Sequence, residues 1–404
     1  MRAMKDSGIE WIGKIPQDWQ IAKVKHVYSF QTGWTPSTSN AAYFDGDLPW
    51  ANISDIGKTK TIYDTAKHIT EEAVANSSMG ISPKGSLMYS FKLSVGDVSF
   101  CGTDMYTNEA IATFLPSDKY DLRYLYYAAP LFIIKNANEN IYGAKLLNQE
   151  LIRNALILNP PYNEQVSVAD YLDAKCAEID ALIAAKEKTN ALLKERRQSI
   201  IYEAVTKGLN SDAPMKDSGV EWIGEIPENW CTAKVKYTGS YRSGNTITAA
   251  DIKETGSFPV YGGNGLRGYT EETTHEGEHL LIGRQGALCG NVHMVSGKFW
   301  ASEHAVVGTI NERFNIRYLF YVLDVFGLNR LSTSAAQPGI SVEQITGVVI
   351  PFPSREEQQK VAKYLDERCY EVDELVYVNE ASIQKLKEYR QSIIYEAVTG
   401  KIEV

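Results

Sequence analysis

The chain says nearly the same thing twice, and that repetition limits what it can fold into. Residues 4–19, MKDSGIEWIGKIPQDW, return at 215–230 as MKDSGVEWIGEIPENW, with twelve of sixteen positions identical and an offset of 211. A second block closes each half. RRQSIIYEAVT from Arg196 returns as YRQSIIYEAVT from Tyr389, identical over 197–206 and 390–399 with an offset of 193. Each half therefore reads as a constant opening, a variable middle and a constant close. A period near 200 residues is too long for a solenoid and describes duplicated domains, with Met215 as the relic of a former start.

The closing blocks lie on long apolar ladders. Leu172, Ile179, Leu193 and Ile200 share a seven-residue spacing broken only by Lys186, with Val168, Cys176, Leu182 and Ile183 beside them. Leu365, Val372, Leu386 and Ile393 repeat the pattern with Asn379 as the polar rung, flanked by Val361, Cys369, Leu375, Val376 and Ile383. Such a narrow stripe, with charges elsewhere, predicts two helices that bury a coiled-coil seam against each other. Ser354 and Glu357 predict a capping box, and Gly208 and Gly400 the helix stops. Expected domains are 1–160, the first helix 161–208, 209–353 and the second helix 354–404. The middles share a plan. RYLYY from Arg123 matches RYLFY from Arg317 as a buried helix face, TNEAIATFL from Thr107 lies opposite ASEHAVVGT from Ala301, and short β-rich runs fill the remainder.

Composition adds exclusions. No apolar run is long enough for a bilayer, since LYYAAPLFII from Leu125 is short and carries Pro130. No basic-then-apolar leader precedes Met4. The five cysteines are scattered without a C-x-x-C pair, which predicts free thiols. Asn159–Tyr162, NPPY, matches the loop with which amino-methyltransferases hold a flipped base. No glycine-rich cofactor loop accompanies it, and the second half reads PFPSREEQ at that place, so the prolines mark a strand-to-helix handover. GRQGALCG (283–290) and YGGNG (261–265) lack the Lys-Ser/Thr of a P-loop and read as tight turns. His275 and His279 straddle Gly277 and read as solvated loop residues, and Glu303–His304 has no nucleophile beside it.

The opening and closing blocks, GDLPWANISDI in the first middle, FPVYGGNGLRGY in the second, and the paired EQ…YLD…RQSIIYEAVT helices together resemble the DNA specificity subunit of type I restriction–modification systems. The resemblance spans the whole chain. It implies an α+β fold of two mixed α/β target recognition domains joined by two long antiparallel coiled-coil helices, as a pseudo-twofold tandem repeat. It implies no catalytic residue, metal or cofactor on this chain, with S-adenosylmethionine on partner modification subunits. The implied partners are double-stranded DNA, two modification subunits and restriction subunits, in the cytoplasm and without a membrane. Residue type and loop position nominate Thr35, Asn52, Asp55, Lys58 and Lys60 in the first reader. In the second they nominate Arg242, Asn245, Asn264, Arg267, Arg284 and Gln285, since arginine suits guanine, and asparagine or glutamine adenine. The identity of Arg197, Gln198, Tyr202, Arg390, Gln391 and Tyr395 across the halves suits a partner surface used twice, and helix–helix packing explains it nearly as well. The alternatives are a self-contained adenine methyltransferase and a non-reading scaffold.

Charge argues against unaided DNA binding. The net charge is −9, and residues 31–160 hold 10 basic and 13 acidic side chains against 8 and 10 in residues 240–350. Non-specific affinity comes from cations neutralising phosphates. Weak binding by the isolated chain is therefore expected.

Overall fold

The computed structural model describes residues 2–77, 80–139, 141, 143–286, 288–332 and 338–404. Its two longest elements are helices α1 (Tyr162–Lys207, 46 residues) and α2 (Arg355–Val398, 44 residues). The chain divides into two compact units, one of residues 1–184 and 382–404, the other of 185–381. The expected boundaries, which set each helix apart, do not match this division. Each unit takes one half of each helix, because neither helix can bury its stripe alone.

Within each unit the helices run antiparallel. In the first, Val168, Leu172 and Cys176 share a core with Ile393, Ala397 and Val398, and Asp180 pairs with Arg390 at 2.9 Å. In the second, Ile201, Ala204 and Val205 share a core with Val361, Leu365 and Cys369. There the polar rungs of both ladders meet. Lys186 donates to Asn379 at 3.2 Å, and Asn379 donates to buried Asn190 at 3.0 Å. Polar seam residues of this kind fix register at some cost in stability. Leu182 and Leu375, expected beside the seam, are instead 53% and 55% exposed. They occupy equivalent positions on the two helices.

Each opening block is anchored to a helix start. Strand Gln20–Lys23 pairs antiparallel with Leu156–Asn159, and Cys231–Lys234 with Val349–Phe352. This brings the buried Trp19 and Trp230 beside the long helices, where their indoles donate to Glu164 at 2.6 Å and Glu357 at 3.0 Å. The Ser354 hydroxyl caps the Glu357 amide at 3.2 Å. The Glu357 carboxylate serves Trp230, so only half of the expected capping box forms. The matched aromatic helices Leu122–Phe132 and Ile316–Phe326 pack behind. Tyr124 donates to the Leu158 and Val398 carbonyls, and Tyr318 to those of Pro351 and Val205. Truncating a buried aromatic of this size costs about 3–5 kcal/mol.

The variable middles carry one sheet plan twice. In the first unit a five-stranded sheet contains the order Phe30–Thr32, Ile111–Phe114, Leu87–Ser90, Val98–Cys101, and Leu48–Ala51 lies between Tyr106–Thr107 and His68–Ile69. In the second, Gly239–Ser243, Ala305–Ile310, His279–Gly283, Val292–Val295 follow the same order, and Phe258–Gly262 lies between Gly265–Thr270 and Lys298–Ala301. YGGNG is the tight hairpin between Phe258–Gly262 and Gly265–Thr270, with Gly265 at φ +88°. His275 and His279 are not solvated loop residues. They lie on strands with their rings against Phe299, and His279 is buried and bonded to the Glu276 carbonyl. All five cysteines are free thiols, four of them buried.

Gly208 and Gly400 end the long helices at φ +73° and +67°. A Cβ at Gly400 would lie 2.4 Å from Pro16 and 3.2 Å from Trp19, whereas at Gly208 the nearest atom is Trp230 at 3.1 Å. Alanine in this backbone region costs about 1–2 kcal/mol at either site. Overlap with the opening block should make Gly400→Ala the more destabilising of the two. Urea denaturation of both variants measures the difference, and equal midpoints would contradict it.

Candidate nucleic-acid interface

Both middles present the same turn, framed by the same backbone hydrogen bonds. Thr107 pairs with Ala51 in parallel register, as Ala301 does with Tyr261. The next amide returns to that partner strand, Asn108 to Ala51 at 3.0 Å and Ser302 to Tyr261 at 2.8 Å. Trp34 donates to Thr107 at 2.9 Å and Asn245 to Ala301 at 2.8 Å. The turns then close, Ile111 on Asn108 at 3.3 Å and Ala305 on Ser302 at 3.0 Å. Finally Phe91 donates to Ala110 and Arg284 to His304, each at 3.0 Å. Close approach demands glycine at Gly33 and Gly244, where a Cβ would lie 1.7 Å and 2.4 Å from the carbonyl oxygens of Thr107 and Ala301. Almost every side chain around the two turns differs. The second turn residue is glutamate in both, Glu109 and Glu303.

The first reader gathers part of its nominated set here. The Thr35 hydroxyl donates to the Glu109 carboxylate. Partial burial pushes that carboxyl up, but Thr35, the residue's own backbone and Lys92 outweigh it and hold it below the ordinary value. Asn52 and Asp55 follow the partner strand, but they are engaged in their own short turn. Asn52 accepts from the Ser54 amide at 2.7 Å, and Asp55 from the Asn52 amide at 2.9 Å. Lys58 is exposed beyond that turn. Lys60 is turned elsewhere, paired with Asp173 of α1 at 2.5 Å and lying over the rings of Tyr126 and Tyr127. Opposite charge and an aromatic platform explain its placement, which ties the sheet to the helix. Lys92 and Leu93 were not nominated. They lie on the loop beside the turn, Leu93 at 91% exposure and φ 59°.

The second reader gathers more of its set. Asn245 bridges Ser302, and its carbonyl accepts from Trp300 at 3.3 Å. Arg284 donates to the Ser243 hydroxyl at 2.7 Å. Gln285 bonds His304 at 2.9 Å, and His304 meets Glu303 at 3.1 Å. The aliphatic stem of Arg267 covers Gly262, and Asn264 is exposed at the hairpin tip. Arg242 is exposed one residue before Ser243. Alternation along the strand turns it to the face opposite the Arg284 contact. Arg284 Nε, Ser302 Oγ and Glu303 Oε2 are buried with no hydrogen-bond partner among the described residues. An offset of 194 between matching glutamates in otherwise divergent blocks was the available signal for Glu109 and Glu303.

Most of the nominated partner surface is committed inside its own unit. Arg197 pairs with Asp373 at 3.1 Å and Asp324 at 3.4 Å, and Arg390 with Asp180. Tyr202 donates to the Ile223 carbonyl at 3.1 Å, and Tyr395 to that of Trp11 at 2.7 Å. Gln198 and Gln391 are exposed. Another exposed strip recurs on both helices, Lys175–Glu178–Leu182 and Arg368–Glu371–Leu375, each with its ion pair formed.

The family model described as the type I restriction modification DNA specificity domain matches residues 16–194 and 227–387. The chain belongs to that family. Among relatives of this specificity chain, the EcoprrI type I restriction enzyme specificity subunit of Escherichia coli is 29% identical over 356 residues, 84% of this chain and 85% of that one. The MjaIX specificity subunit of Methanocaldococcus jannaschii is 26% identical, covering 97% and 95%. Two solved structures share the fold at 14% identity. One, from work on complex assembly and conformational transition of the type I R-M system, has a TM-score of 0.74 and covers 96% of this chain and 99% of its own. The other, the HsdS subunit from Thermoanaerobacter tengcongensis, has a TM-score of 0.52 and covers 98% and 100%.

The internal role of Arg197 makes a testable distinction within this specificity chain. Arg197→Ala leaves Asp324 and Asp373 without their cation and should cost about 1–2 kcal/mol. Gln198→Ala, on an exposed position, should stay within about 0.5 kcal/mol of wild type. Equal losses in chemical denaturation would contradict the assignment.

Proposed function

We propose that this chain reads a bipartite, asymmetric DNA site for a type I restriction–modification complex, one half-site with each middle. The observation that carries this reading is the doubled turn, a constant backbone frame presenting different side chains. Recognition needs a rigid frame and variable hydrogen-bonding groups at base edges, and each unit supplies both. The chain contributes recognition and no catalysis, with S-adenosylmethionine and adenine methylation on partner modification subunits and cleavage on restriction subunits. NPPY supports this division. The Asn159 side chain accepts from Gln165 at 3.1 Å and the Pro160 carbonyl from the same amide at 3.0 Å. The acceptors that would hold a flipped base are thus occupied at the handover into α1.

Two modification subunits would dock on the repeated strips around Leu182 and Leu375, since one surface present twice suits one partner present twice. Among the described residues no helix is long and apolar enough to cross a membrane. Acting on DNA as proposed, the assembly would work in the cytoplasm.

Exchanging residues 240–350 for the matching middle of a relative should change one half-site and leave the other. Mapping methylated adenines in a host carrying the reconstituted complex checks this, and a change in both halves would refute independent reading. Leu182→Asp with Leu375→Asp should leave the fold intact, because both positions are exposed, and abolish co-purification of modification subunits. Undiminished assembly would move the docking surface elsewhere.

A further inference from the structure

The glutamates at the heart of the two turns have no assigned role. Glu109 and Glu303 occupy the same place in the matched frame, one residue beyond Asn108 and Ser302. The groups that hold them differ. Glu109 takes the Thr35 hydroxyl, whereas Glu303 meets His304, itself bonded to Gln285. A glutamate kept only to brace the turn would be expected to keep its brace. Here the brace changes and the carboxylate stays.

Its surroundings leave hydrogen-bonding capacity unfilled. In the second reader the Glu303 side chain is 34% exposed; its Oε2 has no donor, and the Nε of Arg284 on the neighbouring loop no acceptor, among the described residues. In the first, Glu109 is exposed and Lys92 stands near enough to stabilise its charge. An anion on a surface that faces phosphates is repelled by them, so it has to be offset by a specific hydrogen bond. A carboxylate accepts and cannot donate. In the major groove, adenine sets its N6 amine beside the N7 acceptor, whose lone pair repels a carboxylate. Cytosine offers the N4 amine with no acceptor on its own edge.

We infer that Glu109 and Glu303 are specificity-determining residues, each accepting a hydrogen bond from the N4 amine of one cytosine in its own half-site. Arg284 and Lys92 flank them as the cations that make a carboxylate tolerable there, with Arg284 also suited to a guanine. This inference rests on the DNA-reading function proposed above and adds to it a definite base. Each half-site contains at least one C·G pair, and the two readers recognise it with equivalent residues.

The test uses the complete complex with its modification subunits and maps methylated adenines for wild type, Glu303→Gln and Glu109→Gln. Glutamine adds a donor where only an acceptor stood. Glu303→Gln should therefore relax the preference at one cytosine of the second half-site by about ten-fold or more, leaving the first half-site unchanged. Glu109→Gln should do the converse. An unchanged motif in both variants overturns the inference, as does a wild-type half-site made only of A·T pairs. Should a variant methylate nothing, wild-type complex is titrated with duplexes in which each cytosine of that half-site is replaced in turn by pyrimidin-2-one, which lacks the N4 amine. One replacement should weaken binding about ten-fold, and no loss at any position again overturns it. A wild-type complex that methylates no bipartite site would instead refute the proposed function, a result distinct from all of these.

Discussion

Each compact unit is locked by a buried tryptophan whose indole N–H is taken by a glutamate in the first turn of a long helix. Trp19 with Glu164 and Trp230 with Glu357 join three segments at once. The opening block brings the ring, the start of one helix supplies the carboxylate, and the glycine ending the other helix seats its backbone against the ring or its neighbour. The indole must find an acceptor when buried, and the helix N-terminus favours an anion there. Removing any of the three leaves an unpaired polar group or a void beside the largest side chain of the core. The constancy of the opening and closing blocks follows from this junction, because in each unit they are parts of one contact.

The variable middles can diverge because their shared frame is made of backbone. Parallel pairing at Thr107 and Ala301, the turns that follow and the amides of Phe91 and Arg284 specify no side chain apart from glycine at Gly33 and Gly244. Side-chain identity at the turn is thereby left free to vary. The same logic explains why the aromatic helices are less free. Tyr124 and Tyr318 are fully buried with hydroxyls bonded to carbonyls of a strand and of a long helix, so RYLYY and RYLFY vary little.

Much of the architecture was legible because repetition and seven-residue periodicity are global signals. The helix ends at Gly208 and Gly400, the buried aromatic faces and the seam all follow from them. The division of each helix between two units was not legible, since periodicity says what is buried but not against which segment. Leu182 and Leu375 show the same limit, apolar at nearly the right spacing yet turned outward. At the candidate site, Asn245, Arg284 and Gln285 converge as their loop positions suggested. Lys60 and Arg242 do not, because a nearby Asp173 and the alternation of one strand decided where they point. Glu109 and Glu303 were visible as a coincidence of sequence, but only the matched hydrogen bonds give that coincidence a geometry.

The acidic balance of the chain acquires a structural reason. Many of its cations are committed to its own carboxylates, Arg123 to Asp121 and Asp170, Arg317 to Asp366, Arg197 to Asp324 and Asp373, and Arg390 to Asp180. These pairs tie the short helices to the long helices and the long helices to each other, and they neutralise charges that would otherwise be available to phosphates. Affinity for DNA grows with each phosphate neutralised and carries no sequence information, whereas contacts at base edges carry the information. A chain built this way separates the two. Its frame uses arginine for internal rigidity; on the proposed function its turns would keep a few polar groups for discrimination, and the bulk of the phosphate contact would fall to the subunits that assemble around it.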